Sequence, residues 1–208
     1  PDVDYSITTR ELARLIKICN IDFTKLPEAE FDSPLGESTG AAVIFGATGG
    51  VMEAAVRTAY EVLTKQSLPK IDFTELRGLE GIREAKVNIP GVAELNLAIV
   101  YGLANARKIM EQIKAGTCPY HFIEVMACPG GCIDGGGQPY HHGDAEIIKA
   151  RHKAIYEADA NMPLRKSHEN PSIQAIYKDF LVEPCGEKSH HLLHTTYFDK
   201  KTKFDLEK

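Results

Sequence analysis

The sequence predicts an α/β protein in which strands and helices alternate in layered sheets. Three observations carry this. Short apolar runs of strand type occur at residues 41–45, 95–101 and 122–126, and each runs into a glycine-bearing turn or loop. Segments with apolar residues at helical spacing follow the first two runs. No internal repeat or low-complexity tract breaks the alternation. With 208 residues the chain is one large domain or two small ones, either able to bury a core without a disulfide or metal staple.

The elements follow in order. Thr8 and Glu11 have capping-box spacing, and Leu12, Leu15, Ile16 and Cys19 then share one face, so residues 9–19 predict an amphipathic helix. Residues 24–40, rich in Pro, Ser, Thr, Gly and acids, predict a long loop. The run 41–45 predicts a strand entering the turn Gly46-Ala47-Thr48-Gly49-Gly50, and residues 51–65 predict a helix with Val51, Ala55, Ala59 and Val62 on one side. Residues 66–94 give only short β-prone pieces such as Lys86-Val87-Asn88-Ile89. A strand at 95–101 and a helix at 104–114, stopped by Gly116, come next. A strand at 122–126 leads into a glycine-rich loop, followed by helices at 144–161 and 172–181, the last with Pro171 near its start.

The bulk composition excludes several classes of function. A net charge of −5 provides no basic surface for nucleic acid. No apolar stretch approaches the ~20 residues of a membrane helix, and Pro1-Asp2-Val3-Asp4 lacks the start of a secretory signal. Five cysteines, at 19, 118, 128, 132 and 185, are an odd number in a chain too long to need a disulfide framework. These features predict a cytoplasmic protein in a reducing compartment.

Cys128 and Cys132 alone sit close together, and five of the ten residues from Cys128 to Gly137 are glycine. Such a loop adopts backbone angles closed to other residues and can fold around a bulky or anionic object with its amides pointing inward. Soft thiolates bind iron and iron-sulfur centres, and two on one flexible loop can reach neighbouring irons. Zinc fits less well, because its pairs are usually C-x-x-C and His121, His141 and His142 complete no zinc spacing. These three read as surface residues, and His190, His191 and His194 as a partly exposed helix face.

The segment Met126-Ala-Cys-Pro-Gly-Gly-Cys-Ile-Asp-Gly-Gly-Gly-Gln-Pro139 resembles the third cysteine signature of the iron-only hydrogenases. Two further stretches agree in order. Thr8 to Leu15 resembles the family's sequence just after its second signature, and Ile44 to Ala54 resembles the loop whose Phe-Gly pair lines the cofactor pocket. The ending Glu187 to Tyr197 resembles the C-terminal segment, and residues 155–208 are similar to its small-subunit-like part. The resemblance implies the two-lobed catalytic domain of that family, of which residues 1–208 are the C-terminal part.

It also implies site residues and a cofactor. Cys128 would ligate a cubane 4Fe-4S cluster, and Cys132 would ligate the same cluster while bridging by its sulfur to a two-iron subsite, the pair forming the H-cluster. Met126, Phe45 and Gly46 would line that subsite, with Gly135, Gly136 and Gly137 close to the cofactor. The implied activity is reversible reduction of protons to hydrogen, with a ferredoxin-like carrier supplying electrons. Two earlier signatures, each giving one more cubane ligand, and a lysine contacting the subsite are not in this sequence. The expected partner is therefore an N-terminal part carrying the other two cysteines, on a separate chain or on the rest of a longer one. Cys19, Cys118 and Cys185 read as incidental thiols.

Two rival readings remain. A strand at 41–45, the turn at 46–50 and the helix at 51–65 resemble a dinucleotide-binding βα unit of an NAD(P)-dependent oxidoreductase, with Asp72 near the place of a ribose-binding acid. The third glycine of that motif is missing, and the cysteine loop is left unexplained. The other rival is a non-catalytic iron-sulfur relative of the same fold, against which the triple glycine at 135–137 weighs.

Overall fold

The computed structural model describes residues 3–29 and 36–196. Three strands form one sheet in the order β1-β2-β3: β1 (Ile82–Ile89), β2 (Ala93–Tyr101) and β3 (Phe122–Met126). β1 and β2 pair antiparallel, Ile82 opposite Val100 and Ile89 opposite Ala93, around a turn that includes Gly91 at φ 74°. β2 and β3 pair parallel, Leu97 opposite Phe122, so the chain must cross over between them. Helix α4 (Leu103–Lys114) makes that crossover.

The sheet packs on both faces. On one, Met52 and Val56 of helix α3 (Gly50–Thr64) meet Val87, Ile89, Leu97 and Ile99. On the other, Ile109 of α4 covers Ala98 and Val100. β2 is therefore buried from both sides along Leu97 to Val100, which is why it reads as a continuous apolar run. β1 alternates, with Arg83, Ala85, Val87 and Ile89 inward and Glu84, Lys86 and Asn88 outward. An arginine at an inward position hid the first half of this strand from the sequence pattern.

Residues 41–45 are not a strand. They form helix α2 (Gly40–Val43) and one 3-10 turn, Ile44–Gly46. Thr39 caps α2 by accepting the Ala42 N–H at 3.2 Å. Gly40 then lets α2 press against helix α5 (Ala145–Asn161), since a Cβ there would lie 2.0 Å from Asp159 Oδ1. Ala41 and Ile44 pack with Ala54 and Tyr156 in a small core of their own. Without its strand, the βα unit of the dinucleotide reading is absent. Asp72 is instead bonded to Arg77 at 2.6 Å and Arg165 at 2.7 Å.

The other expected helices form close to their predicted bounds. Helix α1 (Thr9–Ile18) has the full capping box between Thr8 and Glu11, yet none of its residues is buried. Asp144 caps α5. The segment at 172–181 is shorter as an α-helix than expected, because α6 (Pro171–Ile176) widens into a π-helical turn over Tyr177–Leu181. A further helix, α7 (Glu187–Leu193), ends at His194, whose ring is tilted 43° to that of His190 with centroids 4.3 Å apart. Tyr197 and the residues after it lie outside the described residues.

Candidate metal centre

The cysteine loop begins where β3 ends. Gly131 N–H bonds the Cys128 carbonyl at 3.1 Å, residues Cys132–Asp134 make a 3-10 turn, and Gly135 N–H bonds the Cys132 carbonyl at 3.1 Å. A Cβ on Gly135 would lie 3.7 Å from Cys128 Sγ and 3.3 Å from the Cys132 carbonyl oxygen, so both cysteines lie against this glycine. Cys128 is half-buried and Cys132 is exposed.

Glycine is required at Gly131 for two independent reasons. Its φ of 94° is left-handed, and a Cβ would sit 2.7 Å from Thr48 N, 2.9 Å from the Gly46 oxygen and 2.9 Å from Met126 Sδ. The turn at 46–49, Met126 and the cysteine loop therefore meet at one point. Thr48 N–H donates to the Gly130 carbonyl at 3.0 Å and locks the two loops together. Phe45 begins this turn with 46% of its surface exposed, and Gly46 packs on Ile155 of α5.

The far side of the loop is clamped as well. Arg10 N–H donates to the Gly137 carbonyl at 3.1 Å, and a Cβ on Gly137 would collide with the Thr8 side chain at 2.6 Å. The Arg10 guanidinium lies over the Tyr140 ring, and Arg151 of α5 donates to the Ile133 and Pro139 carbonyls. Gly136 faces open space, with nothing within 4 Å of a Cβ position. Gly135 to Gly137, with Arg10, Asp134 and Tyr140, line a shallow hollow of about 210 Å³.

Two thiols on one glycine-rich loop, with open space in front of Gly136, fit an iron-sulfur group better than a closed zinc site. Thiolate is the donor such clusters take, and the glycines keep side chains out of the space beside the sulfurs. Two donors leave the remaining irons to be ligated from elsewhere.

Sequence reasoning missed two polar arrangements that support the site. Glu124 on β3 is buried, accepting the Gly49 N–H at 2.6 Å and the Met52 N–H at 2.8 Å. Behind it, the fully buried Arg57 bonds Glu53 and both oxygens of Asp159, and Arg77, Arg165 and Asp72 extend the network. Glu53 and Arg57 at i and i+4 were the one local signal; the other partners lie too far apart in sequence.

Among the described residues, Glu61, His168 and Glu169 bring their ligand atoms within 4.8 Å of one another. Lys166 occupies that cluster, 2.8 Å from Glu61 and 2.7 Å from Glu169, making it an ion-pair group. Burial works to raise the Glu61 carboxyl, but bonds from Lys166, the Leu68 amide and His168 outweigh it and hold it at about 2. The acid of this cluster thus stays charged and engaged with its lysine.

The family model described as the iron-only hydrogenase large subunit, C-terminal domain, matches residues 1–136, and that of the iron hydrogenase small subunit matches residues 145–200. The chain belongs to the iron-only hydrogenase family. Within that family it is 58% identical over 201 residues to the NADP-reducing hydrogenase subunit HndD of Solidesulfovibrio fructosivorans, covering 97% of this chain and 34% of that protein. It is 43% identical to iron hydrogenase 1 of Clostridium pasteurianum, covering 94% and 35%. The FeFe hydrogenase HydA1 of Chlamydomonas reinhardtii superposes with a TM-score of 0.73 at 42% identity, covering 94% of this chain and 55% of that one. A more distant relative is Protein NAR1 of Arabidopsis thaliana, 31% identical over 203 residues. The chain spans about a third of the length of the hydrogenase relatives it matches. A solved neighbour of the same TM-score is described by the stepwise assembly of its H-cluster. No helix among the described residues is long and apolar enough to cross a membrane.

Proposed function

We propose that this chain supplies two of the thiolates, Cys128 and Cys132, that hold the H-cluster of an iron-only hydrogenase, and that with an N-terminal part it interconverts protons and hydrogen. The loop clamped between Thr8, Thr48 and Arg151, with both cysteines against Gly135, is the observation that carries this reading. A 4Fe-4S cluster joined to a two-iron subsite would supply the redox chemistry when bound. This chain's residues hold and shape that site. Cys128 and Cys132 would give the sulfur donors, Gly135 to Gly137 would let backbone approach the cluster, and Met126, Phe45 and Gly46 would face the subsite and restrict water.

The uncovered apolar face of α1, with Leu12, Leu15 and Ile18 all exposed, supports docking of an N-terminal part that brings the other two cysteines. A ferredoxin-like carrier is the proposed electron donor, and five unpaired thiols favour a cytoplasmic setting.

Co-expression with the upstream part, followed by iron and acid-labile sulfide analysis and hydrogen evolution from a reduced viologen, tests the proposal. The expected result is iron in excess of a single cubane and hydrogen evolution. The similarity to Protein NAR1 favours a second reading, an iron-sulfur protein without hydrogen turnover. A cubane complement of iron with no hydrogen evolution, even after a two-iron complex is supplied to the protein, would select it, and absence of iron would sink both.

A further inference from the structure

Glu124 occupies an unusual place. It lies two residues before Met126 and four before Cys128 on the strand that feeds the cysteine loop, with only 7% of its surface exposed. Its carboxylate leaves its own strand to reach the start of α3, some 75 positions earlier in sequence. There Gly49, at φ 92°, is the capping residue and has no side chain to satisfy the first amides of the helix. Glu124 takes over that role from outside the helix, one oxygen on Gly49 N–H and the other on Met52 N–H.

The positive end of a 15-residue helix favours a negative charge at this point. Both oxygens accept backbone donors, and the nearby Arg83 gives its guanidinium to the Thr48 and Leu76 carbonyls instead. The carboxylate is thus held by amides rather than neutralised by a bonded cation. The same turn carries Phe45 and Gly46 at its start and meets Gly131 and Met126 at its middle. One side chain therefore ties the Phe45 turn to the strand that leads into the cysteine loop.

We propose that Glu124 is a positioning residue for the iron site: it fixes the turn at 45–49 against the cysteine loop, and its buried charge lowers the electron affinity of iron bound there. This rests on the reading that Cys128 and Cys132 hold an iron-sulfur cluster. Four residue steps, the first two of them in β3, span at most about 3.3 Å each and so place Glu124 within about 13 Å of Cys128. At that separation and an effective permittivity of about 20, one charge alters a one-electron equilibrium by about tenfold, equivalent to about 59 mV.

The test uses the full-length protein with its cluster assembled, titrated with dithionite against redox mediators and followed by electron paramagnetic resonance of the reduced cluster. Glu124→Gln keeps the size, removes the charge and turns a donor toward one of the two amides. It is expected to shift the cluster potential positive by about 59 mV and to speed hydrogen exchange at Gly49 and Met52. Glu124→Asp keeps the charge on a shorter arm, so exchange should quicken while the potential moves by less than half as much. The Asp variant also carries the test if the Gln variant does not fold. An unchanged potential in Glu124→Gln, or an equal shift in both variants, would overturn the proposal. If the wild-type protein binds no iron, the reading of the cysteines fails and the electrostatic role falls with it. Unchanged amide exchange in Glu124→Gln would then remove the positioning role too.

Discussion

The guanidinium of Arg57 on α3 donates to both carboxylate oxygens of Asp159 on α5, at 2.8 Å each, with neither side chain exposed. This pair joins the segment matched to the large-subunit domain to the segment matched to the small subunit. Removing Asp159 leaves the buried Arg57 with Glu53 as its one hydrogen-bonded carboxylate, so Asp159→Ala is expected to cost about 3 kcal/mol in denaturant unfolding. Arg57→Met combined with Asp159→Leu should recover part of that loss, limited by Arg165, which also bonds Asp159.

At the cysteine loop, Gly131→Ala combines a left-handed backbone angle with a Cβ pressed against Thr48 N and Met126 Sδ. The loop and the turn at 46–49 must separate to admit it. Iron content per chain is expected to fall severalfold in this variant. By contrast Gly136→Ala, which meets nothing within 4 Å, should leave iron content near wild type, as elemental analysis of both would show.

Serine at Cys128 or at Cys132 replaces a soft donor by a hard one. Each substitution is expected to reduce bound iron and to lower hydrogen evolution by at least a hundredfold. Replacing Cys19, which is exposed on the far end of α1, should change neither quantity.

Acid stability offers a test remote from the cysteine loop. Burial opposes ionisation of Glu61, yet Lys166, the Leu68 amide and His168 together hold its carboxyl at about 2, below the ordinary 4.5. A depressed folded-state value gives stability that is complete above about pH 4.5 and is lost as pH falls toward 2. Unfolding midpoints measured from pH 6 to pH 2 should therefore fall less steeply in Glu61→Gln than in wild type, from a lower starting value.

Features written in neighbouring residues were legible in the sequence, and features made by distant ones were not. The capping box at Thr8 and Glu11, the strand at 122–126 and the cysteine loop are each contained in a short stretch. The run 41–45 misled because Ala, Val, Ile and Phe suit a strand as well as a buried helical turn, and the contact deciding it, Gly40 against Asp159, spans over a hundred residues. β1 was legible only in its second half, Lys86 to Ile89, because Arg83 points inward to serve the Thr48 and Leu76 carbonyls. Glu124 gave no sign of its role, because its partners are backbone amides and no side chain pattern encodes them.

Helix α1 is pinned to the cysteine loop by Arg10 and Thr8 on one edge, while Leu12, Leu15 and Ile18 are bare on the other. A greasy stripe of this kind recruits whatever apolar surface is nearest. Purified by itself at high concentration, the polypeptide is expected to self-associate through that stripe, and light scattering would register it as growing particle size. Handling the polypeptide then becomes a question of colloidal behaviour as much as of cluster chemistry.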